Sequence, residues 1–197
     1  MDNEKVGALI LTLRQEKGLT QSELAEALSI SNKTVSKWEC GRGCPDVSLW
    51  EPLAALLGAD VFKLLRGSMT PNQPDVGKIN RTKFYRCPIC GNILTSTSKA
   101  DIACCGRTLA PLAVHEPDSA HTLMVDDLDN DYFVHFDHPM TKDHYILFVA
   151  YVGFDSIYIK RLYPEQDPSF HLPVMSKKGT FYYYCSQDGL MKAKFPQ

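Results

Sequence analysis

Four of the seven cysteines stand in two close pairs: Cys87-Pro88-Ile89-Cys90-Gly91, then Cys104-Cys105-Gly106, with thirteen residues between Cys90 and Cys104. Four thiolates in a tetrahedral set select zinc or iron, and a glycine after each pair lets the backbone fold around the ion. In a reducing compartment this spacing means metal ligands rather than disulfides. A second, more scattered group is His121, His138, His144 and Cys185. The run from His138 to His144 ends one expected strand and opens the next, so a chain reversal brings both imidazoles to one end of a sandwich, and Cys185 closes the strand TFYYYC. Imidazoles with one thiolate suit ferrous iron and leave a position for a small ligand. On residue type alone, isolated histidines are more often surface or satisfied core groups than ligands.

A third chemistry lies in Ser31 to Trp38. Ser31 caps a short helix on which Val35 and Trp38 face inward, leaving Asn32, Lys33, Ser36 and Lys37 outward, as a helix entering the major groove of DNA requires. The net charge of −2, and eight Lys/Arg against nine Asp/Glu over residues 1–67, exclude a polycationic binder. Any nucleic-acid contact must come from this local strip. Cys40 and Cys44, flanking the turn after the helix, read as ordinary reduced thiols.

The elements that position these groups follow from period and punctuation. Residues 3–17 form a first helix ending at Gly18, Thr20-Gln21-Ser22-Glu23 is a capping box opening a second over 21–28, and shorter helices cover 47–57 and 60–65. Residues 67–80 are polar and rich in Pro and Gly, a linker. Beyond them YFVHF, YILFVAYV, SIYIKRLY and TFYYYC read as strands. The N-terminus lacks a signal-peptide pattern and no run suffices for a membrane span, so the expected location is cytoplasmic, away from membranes. The fold class is multi-domain α plus β: a helix-turn-helix bundle over 1–66, the linker, a small four-cysteine β domain over 81–110 and a β-sandwich over 111–197.

The run GLTQSELAEALSISNKTVSKWECGRGCPDVSLWEPLAALLG closely resembles the repressor-type, lambda-repressor/Xre-like helix-turn-helix regulators. That resemblance implies that Gln21 grips phosphate, that Asn32, Lys33 and Lys37 read bases, and that Arg14 and Arg42 contact the DNA backbone. The pattern Cys-x-x-Cys-Gly…Cys-Cys-Gly resembles desulforedoxin and the first module of desulfoferrodoxin, which implies iron where the residues alone accept iron or zinc. HPMTKDHYILFVAYV and YYYCSQDGL resemble the iron domain of superoxide reductase, an immunoglobulin-like sandwich. There His138 and His144 match two iron imidazoles, Cys185 the axial thiolate, and His121 the earlier histidine, with His115 as its competitor. Two positions depart from the pattern: Asp188 replaces a histidine three residues after the axial cysteine, and Ser119-Ala120 replace a Glu-Lys pair whose lysine would attract superoxide. The reading that follows is a DNA-binding regulator of a double-stranded, pseudo-palindromic operator, acting as a homodimer and responsive through its iron module. The alternative is a superoxide reductase with an appended DNA-binding head.

Overall fold

The structure, a computed structural model, describes residues 2–196. It divides between Pro71 and Asn72 into two compact units. The first is all-α: α1 (Asn3–Glu16), α2 (Gln21–Ala27), α3 (Asn32–Glu39), α4 (Trp50–Leu57) and α5 (Val61–Arg66). Helices of seven or eight residues are too short to persist on propensity, so capping and packing must hold them. Asp2, Thr20, Ser31 and Asp60 each accept a backbone N–H at the start of a helix. At α2 the capping box is complete: Thr20 Oγ1 accepts from Glu23 N (3.1 Å) and Glu23 Oε2 accepts from Thr20 N (2.7 Å). Val35 and Trp38 of α3 are buried with Ile10, Leu24, Leu53 and Leu64 in one core. Gly7 permits the close approach of α1 to α3, since a Cβ there would lie 2.0 Å from the Trp38 carbonyl oxygen.

The second unit opens with two hairpins, β1 (Lys83–Arg86) with β2 (Ile93–Ser96) and β3 (Ile102–Cys104) with β4 (Arg107–Leu109). There follow β5 (Val114–His115), β6 (Leu123–Asp127), β7 (Asp131–Phe136), β8 (Ile146–Val152), β9 (Ile157–Arg161), β10 (Ser169–Pro173), β11 (Thr180–Cys185) and β12 (Gly189–Lys194). They form a five-stranded sheet in the order β5-β12-β11-β8-β9 and a three-stranded sheet β10-β7-β6, antiparallel except for β5 beside β12. Alternate residues of β7 (Tyr132, Val134, Phe136) and β11 (Phe181, Tyr183, Cys185) point into a shared core, as half-buried strands do. β8 is buried throughout. Ile146, Val149 and Tyr151 enter the sandwich core, while Phe148, Ala150 and Val152 cluster with Phe84 of β1. Phe84 lies 5.6 Å from the Phe148 ring and 5.3 Å from Tyr182, so the hairpins and the sandwich belong to one compact unit. Part of the polar stretch read as linker is tied to that unit: Asp75 accepts from Gly77 N and from Thr97 Oγ1.

Candidate metal centres and nucleic-acid interface

Two reversals assemble the four cysteines. After β1, Gly91 N donates to the Cys87 carbonyl (3.0 Å) and Cys87 N to the Asn92 carbonyl (2.9 Å), with Gly91 at φ +68° closing the loop. Between β3 and β4 the two-residue turn is Cys105-Gly106, at φ +50° and +71°, the positive pair of a type I′ turn. A side chain at Cys105 is strained there, and sites that need an awkward direction store such strain. The sulfurs of Cys87, Cys90, Cys104 and Cys105 all lie within 4.8 Å of one another, with Cys90 to Cys104 at 3.5 Å and Cys104 to Cys105 at 4.0 Å. Tetrahedral sulfurs about 2.3 Å from one ion are roughly 3.8 Å apart, so the donor spacing fits. The N–H groups of Cys90 and Ile89 draw the Cys87 thiol down to about 6. Crowding by Cys90, then Cys87 and Cys104, pushes Cys105 up to about 12. Four thiolates coexist here only around a cation.

The second cluster sits at one end of the sandwich. His121, His138, His144 and Cys185 each place a donor within 4.8 Å of the others. Cys185 ends β11, opposite a register shift on β8 at which Cys185 pairs with Ile146 after Tyr184 pairs with Phe148; bulges re-aim side chains in this way. The loop carrying His138 and His144 is held by Thr141 N donating to the His144 carbonyl (2.9 Å) and by Tyr145 N donating to Ser186 Oγ (3.1 Å). His121 closes a single 3-10 turn, Ser119–His121, capped by Asp118. Its Nδ1 is 2.6 Å from Asp118 Oδ1, and Tyr183 OH donates to its carbonyl at 2.8 Å. That carboxylate fixes the tautomer with Nε2 free, as partners behind metal-bound histidines do. Among the described residues, the buried Nδ1 of His138 has no hydrogen-bond partner, and the buried Nε2 atoms of His121 and His144 have no well-directed one, only the nearby carboxylate of Asp188. Burial first, then His121 and His144, lowers His138 to about 4, and burial raises Cys185.

Asp188, which the sequence marks only as a departure, is exposed in the turn between β11 and β12, with its carboxylate against the cluster. Its Oδ2 is 3.3 Å from His121 Nε2, 3.2 Å from His144 Nε2 and 3.2 Å from Cys185 Sγ. The competitor His115 is on β5, exposed and outside the cluster. His135 pairs with Asp126 at 3.2 Å on the outer side of β7. Ser119 and Ala120 are exposed beside His121.

On the α unit, Asn32, Lys33 and Lys37 are exposed along α3, Ser36 is half-buried, and Arg42 is exposed just beyond the helix. Asn32 Nδ2 donates to Ser22 Oγ at 2.9 Å, which orients the amide. Arg14 corrects the sequence reading: it is buried, and its guanidinium is spent inside the bundle. Nε and Nη2 bind the Glu39 carboxylate at 2.6 and 3.0 Å, and Nη1 donates to the Leu19 carbonyl. It ties α1 to α3. Gln21 Nε2 also donates to Glu39 Oε2, at 2.6 Å, so this side chain must exchange a partner to reach a phosphate. Glu39 was missed because only Arg14, twenty-five residues earlier, reveals its role. Cys40 and Cys44 are free and exposed.

The helix-turn-helix family HTH_3 matches residues 10–64. The ImmF control region 10 kDa protein of Bacillus phage phi105 is 39% identical over 61 residues, covering 31% of this chain and 68% of its own. A desulfoferrodoxin homolog of Archaeoglobus fulgidus is 26% identical over 119 residues, 56% of this chain and 95% of its own. The crystal structure of the superoxide reductase from Treponema pallidum shares the fold, with a TM-score of 0.50 at 20% identity over 57% of this chain and 97% of that one.

Proposed function

Because the chain belongs to the HTH_3 helix-turn-helix family through its N-terminal unit and continues in a region homologous to desulfoferrodoxin, we propose that it is a DNA-binding transcriptional regulator carrying an iron-binding module. One observation carries this reading: α3 is locked inward by Val35 and Trp38 and presents Asn32, Lys33 and Lys37 outward with no acidic neighbour before Glu39. The operator is double-stranded and pseudo-palindromic, bound by a homodimer in the cytoplasm. Lys33 and Lys37 read base edges with Asn32, Gln21 and Arg42 hold phosphate, and Ser36 supports the same face.

In the second unit Cys87, Cys90, Cys104 and Cys105 hold one metal ion, iron in preference to zinc, and His121, His138, His144 and Cys185 hold a second, iron. The donor types and the orphaned imidazole nitrogens support this assignment. Iron supplies one-electron chemistry. The protein's own part is to orient imidazoles through Asp118 and to bury the Cys185 thiolate. The module reports its redox or metal state to operator binding. Selection of operator sequences from random duplexes by the purified protein tests the reading. Lys33→Ala and Lys37→Ala should each weaken the selected site by about 1–3 kcal/mol. Binding no tighter than to random DNA would defeat it, and equal affinity of reduced, oxidised and metal-depleted protein would remove the sensing role alone.

The convergence of the histidines and Cys185 favours one second reading, superoxide reduction with electrons from a donor protein. A substantial rate lost in Cys185→Ser, with no specific DNA binding, would put it first.

A further inference from the structure

Around the second cluster the four polar groups form a closed ring. Ring centroids of His121 and His138 are 4.9 Å apart and those of His138 and His144 4.6 Å, while His121 and His144 face each other across 6.2 Å. Asp188 Oδ2 lies 3.3 and 3.2 Å from the Nε2 atoms of His121 and His144. Cys185 Sγ lies 3.2 Å from that oxygen and 3.7 Å from His138 Nε2. Donors at right angles around an ion, each about 2.1 Å from it, are roughly 3.0 Å apart. His121 Nδ1 is engaged by Asp118, which leaves its Nε2 as the atom facing Oδ2. A carboxylate oxygen and two imidazole nitrogens at this spacing suit the donor set of one metal ion.

We propose that Asp188 is a fifth ligand of this centre, its carboxylate joining His121, His138, His144 and Cys185, and that it biases bound iron toward the oxidised state. This rests on the reading of the cluster as a metal site. Three neutral imidazoles, a thiolate and a carboxylate cancel the charge of a ferrous ion, whereas four imidazoles and a thiolate leave one positive charge. The extra anion stabilises the ferric ion more than the ferrous ion, and an oxygen donor is the harder ligand. A centre tuned this way registers oxidation and holds it, and its neutral ferrous form exerts little pull on a small anion.

The test uses the full chain, loaded with ferrous iron without oxygen, as wild type, Asp188→Asn, Asp188→His, Cys185→Ser and His138→Ala. Wild type should hold two irons per chain, and Cys185→Ser and His138→Ala one. Asp188→Asn should bind the second iron at least tenfold more weakly in chelator competition. Its ferric-over-ferrous preference should fall at least tenfold, raising the midpoint potential by about 59 mV for a one-electron couple. Asp188→His should keep the iron at the raised potential, and a structure of the loaded wild type should place an Asp188 oxygen on the metal. Asp188→Asn matching wild type in affinity and potential, while Cys185→Ser loses iron, overturns the assignment of Asp188 alone. One iron in wild type, or two in both Cys185→Ser and His138→Ala, overturns the metal-site reading and the inference with it.

Discussion

Cys87, Cys90, Cys104 and Cys105 stand on the turns of two short hairpins whose own buried core is Tyr85, Cys87 and Leu109. His121, His138, His144 and Cys185 end the elements of a sandwich with fifteen buried residues in its main cluster. With three buried residues of their own, the hairpins depend on the packing of Phe84 against Phe148 and Tyr182 and, around the cysteines, on the ion the site would enclose. The second centre is organised by its scaffold. Its chain reversals are pinned by Tyr183, Ser186 and Asp118, and the ion enters a site already shaped. On the proposed reading, the first metal would build structure, while the second would enter structure that already positions its ligands.

The largest effect expected from this contrast is metal removal. Structural sites of this kind contribute apparent free energies of about 10–16 kcal/mol, so Cys104→Ser or chelation should abolish amide protection over residues 87–109 while β7, β8 and β11 stay protected. Hydrogen exchange read segment by segment decides it, and equal loss in both regions would erase the distinction. Next in size is Phe181→Ala, in a core position with no exposure, which should destabilise the sandwich by about 3–5 kcal/mol. The shift belongs to the near-ultraviolet tyrosine signal during urea unfolding. Trp38 and Trp50, the chain's two tryptophans, lie in the α unit and should report an unchanged transition.

The same contrast explains what the sequence disclosed. The four-cysteine site is local, with ligands spaced by turn geometry, so Cys-x-x-Cys-Gly and Cys-Cys-Gly suffice to read it. The helical unit is equally legible, because Thr20 and Glu23 make their capping box within four residues and Val35 and Trp38 follow the helix period. The second cluster joins residues from His121 to Asp188, and its members are brought together by strand pairing that no window spans. Spacing alone left His121 and His115 in competition and gave Asp188 no direction. Arg14 failed for a related reason: a cation on a helix face reads as exposed until Glu39 is seen beneath it.

A smaller effect isolates the scaffold's contribution. Asp118 touches no other donor of the cluster, yet it holds His121 Nδ1 at 2.6 Å. Asp118→Ala should lower iron affinity of the second centre by about 10–100-fold, the range for partners behind metal-bound histidines. The four-cysteine centre should be unaffected, as chelator competition on each would establish. Affinity unchanged at the second centre would mean that the sandwich alone sets the imidazole.

The smallest effect is one of pH, and it separates the centres by sign and window. In metal-free protein His138 is held neutral down to about 4, against an ordinary value of 6.5. The unfolded chain therefore takes up its proton first as pH falls, and wherever the unfolded state binds more protons stability rises with pH. The sandwich should lose stability progressively between 6.5 and about 4, with no further contribution from His138 above 6.5. At the first centre, pH acts on loading. With Cys87 lowered to about 6 and Cys105 raised to about 12, Cys87 is a ready thiolate in neutral protein, while Cys104 and Cys105 must release protons to the solvent on binding. Zinc or ferrous affinity there should climb as pH rises from 6 toward 9. Urea midpoints of the metal-free sandwich and chelator-competed uptake by the cysteines, each followed across pH, should move in these separate windows. A sandwich midpoint flat between 6.5 and 4 would show that His138 is solvated before the metal arrives, and that this centre too waits for its ion to take shape.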